Sequence, residues 1–229
     1  MKTIGLLGGM SWESTESYYR AINQGVKQRL GGLHSAKIAM ISVDFAEIEA
    51  LQHRGDWDKT ADILAQGALA LQRAGADFML ICTNTMHKVV PQIQAQVDLP
   101  ILHIADATAG VLLADGVSKT GLLGTRFTME QDFYRERLIS QGIDVVVPEE
   151  SERQQIHRII YDELCMGSIN DDSRQQFLQI IERLQDRGCE AVILGCTEIA
   201  LLVRPDDTQV PLYDTTAIHA QQAVDEALS

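Results

Sequence analysis

The chain has 229 residues, of which 45% are hydrophobic and 22% charged, a composition typical of a globular protein with one large or two small domains. Its formal net charge of −13 opposes binding to nucleic acid or to an anionic membrane surface. No apolar run approaches the length of a membrane span, and the first residues show no signal-peptide pattern, so we expect a cytoplasmic protein.

Short, continuously apolar runs recur along the chain and predict strands that are buried on both faces. In chain order they are Ile4 to Leu7, Ile38 to Val43, Phe78 to Ile81, Ile101 to Ile104, Gly121 to Leu123, Ile143 to Val147, Ala191 to Leu194 and Leu212 to Tyr213. Helical patterns separate them, such as Thr60 to Ala74 before Gly75 and Asp171 to Arg187 before Gly188, and Ala217 to Leu228 predicts a final helix. This alternation indicates parallel sheets covered by helices, in which ligands gather beyond the carboxyl ends of the strands.

An internal repeat divides the chain into two halves. Two pairs of similar segments define it: Gly5-Leu6-Leu7-Gly8 with Gly121-Leu122-Leu123-Gly124, and Pro100-Ile101-Leu102 with Pro211-Leu212-Tyr213. A period of roughly half the chain indicates duplicated lobes and not a solenoid array. We therefore predict an α/β protein of two pseudo-symmetric lobes, each a mainly parallel four-stranded sheet flanked by helices, with the active site in the cleft between them. The predicted lobes are residues 1–99 plus 208–229 and residues 100–207.

The repeat also predicts which polar residues correspond at the ends of two strands. Gly75 and Gly188 each precede an apolar run, and aligning these glycines pairs Thr83 with Cys196. The more obvious match of Cys82 with Cys196 is one residue out of register, and one residue on a strand reverses the direction of a side chain. We therefore expect Thr83 and Cys196 to be equivalent, with Cys82 directed into its lobe.

Three polar loops that follow predicted strands are candidates for chemistry. Gly8-Gly9-Met10-Ser11-Trp12 offers backbone donors for an anion, or it is only a tight turn. Cys82-Thr83-Asn84-Thr85-Met86-His87 supplies an amide and a hydroxyl that suit a carboxylate, or that cap a helix, and its histidine is expected to be a capping or surface group. In Gly195-Cys196-Thr197-Glu198, a helix start would favour the reactive thiolate, unless the cysteine is structural.

Metal and cofactor chemistry find little support in the sequence. The six histidines form no HExxH or similar pattern, and the glycine loop lacks the spacing of a dinucleotide fingerprint. The cysteines show no zinc spacing and are expected to be thiols, with Cys165 and Cys189 in structural roles. The pattern indicates chemistry on a small polar molecule without a metal or cofactor.

Taken together, the motifs resemble the aspartate/glutamate racemase superfamily, and most closely its cofactor-independent bacterial amino acid racemases. The likeness extends over essentially the whole chain and is carried by the opening Gly-Leu-Leu-Gly-Gly-Met-Ser-Trp-Glu-Ser, Cys-Thr-Asn-Thr-Met-His at 82–87, Leu-Leu-Gly-Thr at 122–125 and Gly-Cys-Thr-Glu at 195–198. The resemblance implies a homodimeric isomerase without pyridoxal phosphate, in which two thiols face opposite sides of the substrate α-carbon.

By this resemblance Cys196 is the thiolate base, and Thr83 stands where the family has its other thiol. A free thiol titrates near pH 8.5, whereas an alcohol is a far weaker acid, so Thr83 is a poor base that returns a proton itself or through water. The resemblance places the second-lobe cysteine on the side of the α-hydrogen of L substrates. We therefore expect L substrates to be deprotonated faster than D substrates.

The resemblance also implies how the substrate is bound. The residues with implied binding roles are Asn84, Thr85, Thr125 and Thr197 for the α-carboxylate, Met10 as a wall, and Gln52, with His53 and Arg54, as candidates for the side-chain clamp. The implied substrates are L-aspartate and L-glutamate, which would suit a basic clamp. The run from Glu163 to Gly167 offers no lysine, however, and a neutral side chain would tolerate its absence.

Two other functions fit the same residues. A decarboxylase or cis/trans isomerase of dicarboxylic acids, which also resembles this superfamily, would need only one thiol. A non-catalytic carboxylate-binding protein would need none. Inversion of an amino acid separates the first of these from a racemase, and loss of turnover in Cys196→Ala excludes the second.

Overall fold

The computed structural model describes all 229 residues, and packing divides the chain into two compact units. The first unit comprises Met1–Ile104 and His219–Ser229, and the second comprises Ala105–Ile218. This division differs from the repeat-based one at residues 100–104 and 208–218, because packing and not sequence similarity decides to which unit a segment belongs. None of the helices is both long and apolar enough to cross a membrane.

The first unit is built on a parallel sheet in the order β2-β1-β3. Its elements are β1 (Ile4–Gly8), α1 (Trp12–Leu30), β2 (Ile38–Ser42), α2 (Phe45–Arg54), α3 (Trp57–Arg73), β3 (Phe78–Ile81) and α4 (Val90–Gln94). The chain then enters α5 (Ile104–Ala114). The prediction of a fourth strand at Ile101 to Ile104 is wrong, since only a single bridge joins Ile101 to Met79 before α5 begins.

Alternate residues of β3 face two different hydrophobic clusters in the first unit. Met79 and Ile81 pack with side chains of α2, α3 and α4, whereas Phe78 and Leu80 pack with α1 and the C-terminal helix. The run is therefore continuously apolar because both faces of the strand are buried, as predicted.

The second unit contains a four-stranded parallel sheet in the order β5-β4-β6-β7, as predicted. Its elements are β4 (Lys119–Gly124), α6 (Arg126–Glu130), α7 (Asp132–Ile139), β5 (Asp144–Val146), α8 (Glu150–Asp162), α9 (Asp171–Asp186), β6 (Ala191–Gly195), α10 (Ile199–Leu202) and β7 (Leu212–Asp214). The last helix, α11 (Thr215–Leu228), completes the chain and contributes Ala220, Ala223 and Val224 to the core of the first unit.

The two sheets share the strand register that the repeat predicts. Leu7 pairs with Ile81 in the first sheet, and Leu123 pairs with Leu194 in the second. The same backbone hydrogen bonds flank both pairs: Asp77 N to Thr3 O and Met79 N to Pro100 O in the first unit, Glu190 N to Lys119 O and Val192 N to Pro211 O in the second. Thr83 and Cys196 thus follow structurally equivalent strand residues.

Candidate functional site

The glycine loop after β1 is a tight turn held by its own hydrogen bonds. The Ser11 side chain caps α1 by accepting from Ser14 N, and Thr15 Oγ1 accepts from Gly9 N at 2.8 Å. Gly9 has a φ of +93°, and a Cβ at this position would lie 2.2 Å from the Val43 carbonyl oxygen. The Met10–Ser11 peptide bond is cis.

Met10, which the sequence suggests as a wall of the site, is only 4% exposed and packs in the cluster formed with α2 and α3. Any contact with a substrate must therefore come from the small part of its side chain that reaches the surface.

The loop after β3 separates Cys82 from Thr83 as the register predicts. Cys82 is fully buried in the cluster with α1 and α11, and burial raises the pKa of its thiol far above the ordinary range. Thr83 is only partly buried and lies outside that core. The expectation that Cys82 points into its lobe is confirmed.

The polar residues that follow Thr83 begin a 3₁₀ turn, Thr85–Val89, rather than an α-helix. Asn84 precedes this turn but makes no side-chain capping hydrogen bond, and Asn84 and Thr85 are buried, at 3% and 6% exposure. His87 is 2% exposed, so the expectation of a surface histidine is wrong, whereas that of a capping group holds: its Nε2 accepts from Ile104 N, the first residue of α5, at 3.2 Å. No local pattern signals this burial, because the contacts of His87 include the ring of His219, which is distant in the chain.

The loop after β6 places a thiol beside a buried carboxylate. At Gly195 a Cβ would lie 2.8 Å from the Leu123 carbonyl oxygen, so the close approach of β4 and β6 requires glycine immediately before Cys196. Glu198 is 5% exposed, and its Oε2 accepts from Cys196 Sγ at 3.0 Å and from Thr197 Oγ1 at 2.6 Å. Sequence reasoning noted Glu198 only as part of the motif and gave it no role.

The surroundings of Cys196 favour the neutral thiol in the resting protein. Desolvation raises the pKa of Cys196 well above its ordinary value, and the negative charge of Glu198, the Cys165 thiol and the thiol–carboxylate hydrogen bond raise it further. Desolvation and the neighbouring carboxylate thus outweigh the expected stabilisation of the thiolate by the start of α10. Deprotonation of Cys196 therefore requires an acceptor, and Glu198 is in contact with it.

Thr125 and Thr197 differ in what their hydroxyl groups already do. Thr125 follows β4 and caps α6: its Oγ1 accepts from Thr128 N at 3.3 Å, and the residue is 7% exposed. Thr197 is partly buried, and its hydroxyl proton points to Glu198. To bind the Thr125 hydroxyl, a substrate carboxylate would have to share it with the helix-capping hydrogen bond. To bind the Thr197 hydroxyl, it would have to replace the carboxylate of Glu198 as the acceptor.

Of the three clamp candidates, only Gln52 is buried. It lies in the last turn of α2 at 4% exposure, donates from Nε2 to Met86 Sδ at 3.7 Å, and its buried Oε1 has no hydrogen-bond partner. His53 is exposed, with its Nε2 atom 2.8 Å from Glu49 Oε1, and Arg54 is exposed. The position adjoining the Cys82–His87 loop is thus a neutral amide.

The remaining cysteines are free thiols. Cys189 is buried, whereas Cys165 is partly buried in the 3₁₀ turn Leu164–Met166 and packs against the same core cluster as Cys196. No group of three or more His, Cys, Asp or Glu side chains is arranged to hold a metal ion.

Comparison with known proteins places this geometry in a family. The family model for Asp/Glu/hydantoin racemases matches residues 7–223. The chain is 22% identical to the broad specificity amino-acid racemase RacX of Bacillus subtilis, over 99% of this chain and 98% of that one. It is 55% identical to a Yersinia pestis protein provisionally assigned as an Asp/Glu racemase (TM-score 0.94), and 35% identical to PH1733, an aspartate racemase homologue from Pyrococcus horikoshii (TM-score 0.88), each over 100% of both chains. The chain therefore belongs to the Asp/Glu/hydantoin racemase family and is an isomerase of the racemase type.

Proposed function

We propose that this protein is a cofactor-independent amino acid racemase in which Cys196 and Thr83 exchange protons with opposite faces of the substrate α-carbon. The observation that carries the proposal is the shared strand register, which gives a thiol in one unit and a hydroxyl in the other the same position after equivalent strands. The burial of Cys82 supports the proposal further, because it holds inside a core the one cysteine that could replace Thr83 as the reacting group of the first loop.

In the L-to-D direction, Glu198 accepts the thiol proton of Cys196, and the thiolate then removes the α-proton of the substrate. The 3.0 Å contact between Cys196 Sγ and Glu198 Oε2 provides the route for the first transfer. Each pKa unit by which the thiol exceeds its acceptor costs about 1.4 kcal/mol, so the thiolate is a transient species.

The carbanion that forms loads negative charge onto the α-carboxylate. Buried donors at Asn84 and Thr85, with Thr197 on the other side, are proposed to bind it, and each well-placed donor contributes roughly 3 to 4 kcal/mol. Thr125 and Met10 stay secondary candidates, since one caps a helix and the other lies largely in a core. Thr83, or a water that it positions, returns a proton on the face opposite to Cys196. Solvent then supplies a proton to the alkoxide or hydroxide left behind, and Glu198 releases to solvent the proton that it took from Cys196, which restores the resting state.

The substrate class depends on the clamp. L-Aspartate and L-glutamate are the substrates that the family suggests, but the buried amide of Gln52, with its unpartnered oxygen, favours a neutral side chain that donates a hydrogen bond. Turnover of aspartate against asparagine and of glutamate against glutamine, at equal concentrations, tests this. Faster turnover of asparagine and glutamine supports Gln52 as a neutral clamp. Faster turnover of aspartate and glutamate would mean that a basic residue other than Gln52 binds the side-chain carboxylate.

The direct test is α-proton exchange in deuterium oxide without added cofactor, followed by NMR for each enantiomer. The proposal predicts inversion, with faster exchange of the L enantiomer because a thiol serves that face and a hydroxyl the other. Equal exchange rates for both enantiomers would contradict the roles given to Cys196 and Thr83.

A single-cysteine decarboxylase or cis/trans isomerase is the second candidate, because it needs only one thiol and the residue equivalent to Cys196 is Thr83. It predicts carbon dioxide release or a changed double-bond geometry, with no inversion of any amino acid. The cytoplasmic location and the homodimer stay predictions.

A further inference from the structure

We infer that His87 is a positioning residue that fixes Thr83 for proton transfer through the Thr83 main chain. The inference rests on the proposed function, because it concerns the hydroxyl assigned to one face of the substrate.

The hydrogen bonds of His87 determine which nitrogen carries its proton. Ile104 N lies 3.2 Å from His87 Nε2, and a backbone amide can only donate, so Nε2 accepts. The proton therefore resides on Nδ1, which donates to the Thr83 carbonyl oxygen at 2.8 Å. The imidazole is 2% exposed and links Thr83, two residues after β3, to the start of α5.

A second buried imidazole holds the segment to which His87 is attached. His219 Nε2 donates to the Leu102 carbonyl oxygen at 2.8 Å, and its Nδ1 accepts from the Tyr18 hydroxyl at 2.8 Å. Burial is the main cause that lowers the pKa of His219 to about 3, so this ring stays neutral and keeps the same pattern. The ring of His103 also packs 4.6 Å from that of His87.

Thr83 depends on its main chain for placement. Its hydroxyl makes no hydrogen bond within the protein, whereas its backbone is held on both sides: Cys82 N donates to Leu7 O at 2.9 Å, and His87 holds the Thr83 carbonyl. A displacement of about 1 Å at a reacting group can cost roughly a hundredfold in rate. The imidazole thus fixes the backbone that carries the hydroxyl.

Two near-isosteric variants separate the two hydrogen bonds of the ring. His87→Asn places an amide nitrogen where Nδ1 lies and keeps a donor for Thr83, whereas His87→Gln places its amide near Nε2, keeps an acceptor for Ile104 and loses the donor. His34→Gln, at an exposed histidine, is the control. Each is incubated with an L-amino acid substrate of the parent in deuterium oxide, and NMR and chiral chromatography follow exchange and inversion separately.

For His87→Gln we expect inversion to fall about 10- to 100-fold while α-proton exchange of the L enantiomer stays within about twofold of the parent. His87→Asn should retain inversion within about threefold, and His34→Gln should match the parent. The inference is overturned if both His87 variants lose inversion equally, or if exchange falls in parallel with inversion.

A measurement on the unmodified protein keeps the test valid if a variant does not fold. Nitrogen-15 NMR of labelled histidine should show His87 protonated on Nδ1 and unprotonated on Nε2, and the opposite tautomer would overturn the inference. If the parent itself exchanges neither enantiomer of any amino acid, the proposed function fails, and the tautomer result still reports on the contact with Thr83.

Discussion

The loops after β3 and β6 share one backbone register but carry different chemistry. In the first, a cysteine points into a core, the next residue is a threonine, and a buried imidazole holds its carbonyl group. In the second, a glycine fits a close approach of strands, the next residue is a cysteine, and a buried carboxylate accepts a hydrogen bond from its thiol. The two loops thus give a hydroxyl and a thiol equivalent positions, and the thiol has a carboxylate hydrogen-bonded to it.

The largest effect in this comparison is expected at Cys196. Cys196→Ala should lower α-proton exchange of the L enantiomer by about 10²- to 10⁴-fold, because it removes the general base. NMR in deuterium oxide measures this against Cys165→Ala, which removes the neighbouring thiol of the same core cluster. Retained exchange in Cys196→Ala would mean that the second loop does not supply the base.

The next effect concerns Thr83. Thr83→Ala should reduce conversion of L to D about 10- to 100-fold while exchange of the L enantiomer persists, since only the proton return is impaired. Thr83→Cys is the matched variant, and it should bring exchange of the D enantiomer closer to that of the L enantiomer by supplying a second thiol. If Thr83→Ala abolishes both signals together, the two loops do not divide the reaction as proposed.

Glu198→Gln should separate acidity from turnover. The charge of Glu198 and its hydrogen bond both raise the pKa of Cys196, so the variant should have a lower thiol pKa and react with iodoacetamide at lower pH than the parent. Turnover should nevertheless fall about tenfold, because glutamine cannot accept the proton. Alkylation profiles against pH, read with turnover, measure both; unchanged turnover would show that the carboxylate is not the acceptor.

The smallest effect on catalysis is expected at Cys82. Cys82→Ala should destabilise the fold by about 1 kcal/mol, since it removes one buried atom from the α1 and α11 cluster, and should leave racemisation unchanged. Urea unfolding gives the first quantity and chiral chromatography the second. A loss of inversion comparable to that of Thr83→Ala would restore Cys82 as a candidate for the group that returns the proton.

Patterns that recur within a few residues of the chain predicted much of the fold. Continuous apolar runs located the strands, and Gly75 and Gly188 marked the ends of α3 and α9, because both signals depend on local backbone geometry. Alignment of those glycines also predicted that Thr83 and Cys196 are equivalent. The strand register confirms that equivalence because pairing repeats with the sequence.

Tertiary structure decided what local patterns leave open. Whether Ile101 begins a fourth strand depended on the start of α5, and His87 is buried where the ring of His219, distant in the chain, packs against it. The resting protonation of Cys196 depended on the packing that desolvates it and turns Glu198 toward it. Sequence order fixes the position of a side chain along a strand, whereas acidity and orientation follow from neighbours that only folding brings into contact.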